Sequence, residues 1–288
     1  MNKPKKRKTG FIISILVIAF AVCYLGFLTY LQDSEAHIMP DYPRTDIERI
    51  LSKEEFCEED YRILYLQTGL ARPAVDALKE TDADFKSAML KFQENFFKDV
   101  RITSEKNTII SREEFVADEN GNKISGTEMA PLQNGDILIT KSSRTYGWRN
   151  GHAAIVVDEE KGIVLESAVL GTDSSPAHIS KWTKYPNFMV FRLKGVSREL
   201  RNKIAASAME NLNSVPYSLT VGIFSPKFRK NREIKTTNCS HLVWSAYMLF
   251  GYDLDYDGGL IVTPKDIANS PLLEVVQVYG VNPENPWP

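Results

Sequence analysis

Cys239 stands in Thr236-Thr237-Asn238-Cys239-Ser240-His241-Leu242-Val243-Trp244, a helix-capping signal followed by an apolar run. With Thr237 or Asn238 as the N-cap, the thiol falls in the first helical turn, where unpaired N–H groups and the helix dipole favour a thiolate. Leu242, Val243, Ala246 and Phe250 follow at helical spacing, so the sulfur heads the buried stripe of the helix. A thiolate held this way is a nucleophile for acyl chemistry, and it needs a base. The chain offers His152, in Asn150-Gly151-His152-Ala153-Ala154-Ile155-Val156-Val157. Two plainer roles stay open for Cys239: a small apolar residue at a helix end, or a disulfide with Cys57. Cys57 itself is followed by Glu58, Glu59 and Asp60, a poor setting for a reactive thiolate.

Strand alternation supplies a third member. His152, Ala154 and Val156 share one face of a strand, and Val164 and Glu166 share a face of the next. Between them Asp158-Glu159-Glu160-Lys161-Gly162 reads as a turn, which pairs Val157 with Ile163 and sets Ala154 opposite Glu166. His152 is then diagonal to Glu166 on the same face, about 7–8 Å away at the backbone and within side-chain reach. A one-residue slip would separate them, so the assignment depends on that turn. In this register Glu166 orients the imidazole while His152 deprotonates Cys239, the nucleophile–base–orienter logic of covalent acyl transfer. His178, in the loop Ser175-Pro176-Ala177-His178, is the alternative third member. His241 lies two residues from Cys239, on another face of the helix. The histidines and cysteines show no metal-ligand spacing, so no metal and no cofactor is expected.

The elements that must position these groups read as strands at 136–140, 153–157, 163–166, 189–193 and 273–279, with a helix at 197–212 and the Cys239 helix after it. A hairpin is expected around Glu119-Asn120-Gly121-Asn122. Residues 45–100 read as a helical subdomain: Ser52-Lys53-Glu54-Glu55 as a capping box, an apolar face of Phe56, Tyr61, Leu64 and Tyr65, a break at Gly69 and Pro73, then Phe85, Met89, Phe92 and Phe96. That much apolar surface must dock, and the expectation is a cap over the active site. Strands before helices, without βαβ alternation, make the fold class α+β.

The N-terminus divides the chain further. Residues 1–10 form a basic tail with Lys3, Lys5, Lys6, Arg7 and Lys8, and Phe11–Leu31 carries no charged residue and is long enough to span a bilayer. Positive flanks hold the N-terminus in the cytoplasm and place the remainder outside. A cleaved signal peptide ending near Ser34-Glu35-Ala36 is the alternative. Residues 32–44 are a linker and 101–288 the main domain. Without its basic tail the chain is more acidic than its overall net charge of −2, which argues against general nucleic-acid binding. One exception is the run Lys227, Arg229, Lys230, Arg232 and Lys235, suited to substrate carboxylates or phosphates or to a solvated loop.

Asn134-Gly135-Asp136-Ile137-Leu138, Gly151-His152-Ala153-Ala154-Ile155-Val156, Leu165-Glu166-Ser167-Ala168 and Asn238-Cys239-Ser240-His241-Leu242-Val243 resemble, in this order, the YiiX-type branch of the NlpC-like cysteine hydrolases. Val215-Pro216-Tyr217 is similar to the tyrosine-bearing segment that precedes the cysteine helix in that superfamily. The resemblance covers roughly residues 130–280. It implies a circularly permuted papain-like domain with Cys239, His152 and Glu166 as the catalytic triad and Tyr217, Asn238 and Ser240 bordering the substrate. It further implies amide or ester hydrolysis through a thioester, with peptidoglycan peptides as the natural substrate of a wall-facing enzyme and lipid acyl groups as the alternative. A wall-associated binding domain with a silent site is the non-enzymatic reading.

Overall fold

The computed structural model describes residues 5–32, 35–227 and 233–288, so Lys3, Ser34 and Arg229, Lys230 and Arg232 of the basic run lie outside the described residues. The chain forms two units, Met1–Glu35 and Ala36–Pro288. The first is one helix, α1 (Lys5–Gln32), whose segment Gly10–Phe27 has a mean hydropathy of 2.5 and is long and apolar enough to cross a membrane.

The second unit is a mixed α+β body that opens with α2 (Glu48–Leu51), α3 (Glu58–Thr68), α4 (Arg72–Thr81) and α5 (Phe85–Phe96). The capping box lies one signal later than expected: Ser52 closes α2, while Cys57 caps α3 with Asp60 as its reciprocal partner. Glu58, Glu59 and Asp60 in the first turn, at the positive end of the dipole, favour that start. Gly69 ends α3 in the left-handed region at φ 72°, and Pro73 sits in the first turn of α4.

β1 (Arg101–Lys106) and β2 (Ser111–Ala117) then make a hairpin one turn ahead of the expected one. The Asn120-Gly121 turn does form, with Gly121 at φ 82°, but beyond it only the bridge Ala117–Lys123 pairs. Next come β3 (Ile137–Thr140), β4 (Ser143–Thr145), β5 (His152–Asp158), β6 (Ile163–Glu166), β7 (Ser175–His178), a 3-10 turn at Ile179–Lys184 and β8 (Phe188–Leu193). The chain finishes with α6 (Arg198–Leu212), α7 (Cys239–Met248), α8 (Pro264–Ala268) and β9 (Leu273–Tyr279). β1, β2 and β4 form a small sheet, and the main sheet runs β7-β6-β5-β3-β8-β9 with every neighbouring pair antiparallel.

Alternation along the main sheet builds two cores. Ile137, Ile139, Ala153, Ile155, Met189 and Phe191 face one way and are covered by Ile204 and Ala208 of α6 and Leu242, Val243 and Ala246 of α7. On the reverse face, α2–α5 cover Phe188, Val190 and Val276, while Phe115, Trp182 and Tyr185 cover Leu138, Ala154 and Val156. The helical segment therefore docks on the β8–β9 half of the sheet and is not the expected cap over the active site. It belongs there because the turn between α3 and α4 is stitched to β9, by Val278 N–H to Gly69 O (2.8 Å) and Ala71 N–H to Val276 O (3.0 Å). A buried pair ties β3 to β8: the Arg192 guanidinium donates to both oxygens of Asp136, each at 2.7 Å.

Candidate active site

The structure brings Cys239, His152 and Glu166 together. Asn238 is the N-cap of α7 and accepts from the His241 N–H at 2.9 Å, which places Cys239 at the first helical position with its side chain buried. All three cysteines are free, so no Cys57–Cys239 bridge exists and Cys57 is exposed. His152 begins β5, opposite Thr140 of β3. Gly151 before it must be glycine: at φ 72°, a Cβ would lie 2.4 Å from Trp287 Cη2 and 2.7 Å from Thr140 O.

The expected register holds where it matters, with Ala154 opposite Glu166. It departs at the turn, where a bulge leaves Val157 unpaired and sets Asp158, not Val157, against Ile163. The result is a buried hydrogen bond of 2.8 Å between His152 Nε2 and Glu166 Oε2. The other ring nitrogen is left for Cys239, whose thiolate is favoured by the imidazole and by the backbone N–H groups of Ala153 and Ser240. Trp182 stacks on the imidazole at 5.5 Å between centroids and 19° between planes, fixing the ring.

Electrostatics favour an ion pair. Burial alone would depress His152, but the Glu166 charge and the bond to Cys239 outweigh it and lift the imidazole to about 10. Burial alone would raise the Cys239 thiol, and the His152 hydrogen bond and charge pull it below its ordinary value instead. Glu166 follows the same logic: burial raises it, and the His152 charge and hydrogen bond bring it down. All three shifts run toward the thiolate–imidazolium–carboxylate forms of these groups.

Two neighbours escape a sequence reading. Glu113 of β2 is buried, faces the His152 charge, accepts from Tyr185 OH at 2.7 Å and pairs with Lys181 at 3.1 Å. Trp182 comes from the 3-10 turn. Nothing in Arg112-Glu113-Glu114 or Ser180-Lys181-Trp182 marks these side chains in advance, since both depend on the small sheet and the turn folding over β5.

The alternative third member is placed elsewhere: His178 is exposed at the end of β7, bonded to Ser180, and borders no part of the cleft. His241 is turned away, bonded to Thr237 Oγ1 (3.0 Å) and Lys227 O (2.7 Å). Asn238 and Ser240 also differ from expectation. Their side chains cap and brace α7, with Ser240 Oγ donating to Val262 O at 2.8 Å, and neither lines the cleft. Tyr217 does line it, with its phenol pushed up by burial and by the Cys239 charge.

Cys239 and His152 line a cleft that is open to solvent. Thr108 of the β1–β2 turn, Ser111, Ser143 and Thr145 of the small sheet, and the exposed Leu170 and Leu219 line it too. That sheet provides the cover expected of residues 45–100, none of which lines the cleft.

No protein-family model matches the chain. The uncharacterized protein YycO of Bacillus subtilis (strain 168) is 27% identical over 180 residues, spanning 61% of this chain and 67% of YycO. The crystal structure of the metalloprotein YiiX from Escherichia coli O157:H7 superposes with a TM-score of 0.40 at 18% identity, covering 51% of this chain and 97% of YiiX. The chain is thus similar in sequence to YycO over 180 residues.

Proposed function

We propose that the chain is a membrane-anchored cysteine hydrolase that cleaves amide bonds outside the cytoplasm, with peptidoglycan peptides as its substrate class. The observation that carries this reading is the buried contact of Cys239, His152 and Glu166 at the floor of an open cleft. The order of histidine strand, glutamate strand and cysteine helix supports a permuted papain-like ancestry, and α1 supports attachment to a bilayer.

The Cys239 thiolate attacks the carbonyl carbon, forming a C–S bond and moving the carbonyl π electrons onto oxygen. Backbone N–H groups at the start of α7 are the donors for that oxyanion. As the tetrahedral species collapses, the C–N bond breaks and His152 gives its proton to the departing amine. Neutral His152 then takes a proton from water, whose oxygen attacks the thioester carbon; the C–S bond breaks, regenerating the Cys239 thiolate and releasing the acid product. Glu166 keeps its charge throughout and stabilises the imidazolium.

A second reading, hydrolysis or transfer of lipid acyl groups, is favoured by the cleft mouth. Leu170 and Leu219 are exposed there, and Ile223 and the 85% exposed Phe224 follow on the same loop as Leu219. The deciding experiment incubates the full chain in detergent with purified wall fragments and, separately, with phospholipid vesicles, reading products by mass. Wall-peptide cleavage lost in Cys239→Ala is the expected result. Acyl release alone selects the second reading, and no product from either substrate, with an unreactive Cys239, sinks both.

A further inference from the structure

The segment after α7 reads Asp253-Leu254-Asp255-Tyr256-Asp257-Gly258-Gly259. Acids at the first, third and fifth positions and glycine at the sixth are the spacing of the first half of a calcium-binding loop. Gly258 supplies the turn, at φ 66°. The twelfth position is Pro264 rather than the glutamate of that pattern, but Asp266 of α8 returns a carboxylate to the same place. Oxygens of Asp255, Asp257 and Asp266 lie within 4.8 Å of one another.

Proximity of acids alone means little, and the telling feature is Asp255. Its side chain is fully buried, and its Oδ2 accepts from the Lys227 ammonium. Its Oδ1 is buried with no hydrogen-bond partner among the described residues. A buried carboxylate oxygen left unpaired is costly, and native structures seldom keep one without a ligand. The other two acids each commit an oxygen internally: Asp257 Oδ1 accepts from Gly259 N–H (2.7 Å), and Asp266 Oδ2 accepts from Thr263 N–H (2.8 Å) and Oγ1 (2.6 Å). Lys227 pairs with Asp255 and also donates to the Gly259 carbonyl, the seventh position of the loop. Burial and repulsion from Asp266 and Asp257 hold the Asp255 carboxyl above its ordinary value, against the pull of Lys227.

We propose that this loop binds a divalent cation, with Ca²⁺ the best fit, on oxygens of Asp255, Asp257 and Asp266. An all-oxygen set without nitrogen or sulfur suits a hard cation, and a loop with several free angles suits Ca²⁺ better than the rigid octahedron of Mg²⁺. The absence of metal-ligand spacing among histidines and cysteines has no bearing on such a site. The cation would brace the helix that carries Cys239, because the loop is fastened to α7 at both ends: Trp244 Nε1 donates to Asp253 Oδ1 at 2.7 Å, and Ser240 Oγ donates to Val262 O. Lys227, whose ammonium also lies 4.9 Å from the Trp244 ring centre, becomes the internal competitor of the metal.

The test uses the full chain in detergent, stripped with chelator and titrated with CaCl₂, MgCl₂ and Tb³⁺, reading calorimetric heat, melting temperature and Tb³⁺ luminescence sensitised by Tyr256 or Trp244. The expected result is Ca²⁺ binding in the range of about 0.1–1 mM typical of extracellular modules, a higher melting temperature with Ca²⁺ and a weaker response to Mg²⁺. Asp257→Asn, on an exposed residue, should keep the metal-free melting temperature and lose at least about tenfold in affinity. Lys227→Met should bind more tightly than the wild type. Absence of Ca²⁺ and Tb³⁺ binding by the wild type at about 10 mM, well above that range, overturns the proposal and leaves Lys227 as the permanent counter-ion. Equal binding by Asp257→Asn overturns it too.

Discussion

At the scale of single residues, the site is a balance between burial and pairing. Desolvation alone would favour the neutral forms of Cys239, His152 and Glu166, and the charge of its neighbour shifts each back toward its charged form. The pH consequence has a definite sign. His152 is raised from 6.5 to about 10, so its stabilising contribution is complete below the ordinary value and is lost as pH rises through about 10. Cys239 is lowered, so its contribution is present above the ordinary thiol value and is lost as pH falls through the depressed one. Iodoacetamide should therefore label Cys239 at a pH where a free thiol such as glutathione is slow, with a plateau up to about pH 10 before the imidazolium is lost. Labelling of Cys239 that rises with pH only in step with that free thiol would contradict the ion pair. Glu166→Gln preserves the hydrogen-bond geometry but removes the charge. At neutral pH its Cys239 labelling should slow by about tenfold or more while the fold survives. A silent Glu166→Gln variant would remove Glu166 from the site. These three residues were legible in the sequence because a capped helix start and a period-two strand each dictate where a side chain points. Glu113 and Trp182 were not, since their closeness to His152 comes from tertiary folding of polar segments.

At the scale of elements, β6 and β9 begin and end where apolar alternation places them, and the Ala154–Glu166 pairing survives a bulge at Val157. Two edge strands, β4 and β7, were missed for one reason. Ser143-Arg144-Thr145 and Ser175-Pro176-Ala177-His178 have no apolar face, since each lies at a sheet edge with little to bury. The start of β5 is fixed more tightly than its composition suggests. Gly151 passes between Thr140 O and the Trp287 ring in a conformation other residues resist. Gly151→Ala should therefore cost about 1–3 kcal/mol and shift His152 off the thiol. Urea unfolding and thiol labelling of the same variant test this together. Unchanged stability and unchanged labelling would mean that the approach to Trp287 does not constrain the strand.

At the scale of the whole molecule, the open question is what the helices of residues 45–100 are for. Their apolar faces do not close the cleft. Leu64, Met89 and Phe92 are buried in one cluster with Phe188, Val190 and Val276, so the helices complete the core on one face of the main sheet. The seam is also made of backbone: Leu70 bridges Gln277, and the Gly69 turn is so close to β9 that a Cβ would stand 2.1 Å from Val278 O. A sheet half covered by these helices has no stable form without them, and the helices have no other surface on which to bury those residues. The sequence revealed the helices and their need to dock, but not the partner, because an apolar stripe does not name the face it meets. Two outcomes follow. A peptide of residues 45–100 should give a coil-like far-UV spectrum. In the protein, Phe92→Ala should lower stability by about 3–5 kcal/mol in one transition that tryptophan fluorescence and backbone ellipticity report together. Separate transitions, or cooperative melting of the isolated peptide, would show an independent domain resting on the sheet instead of a part of its core.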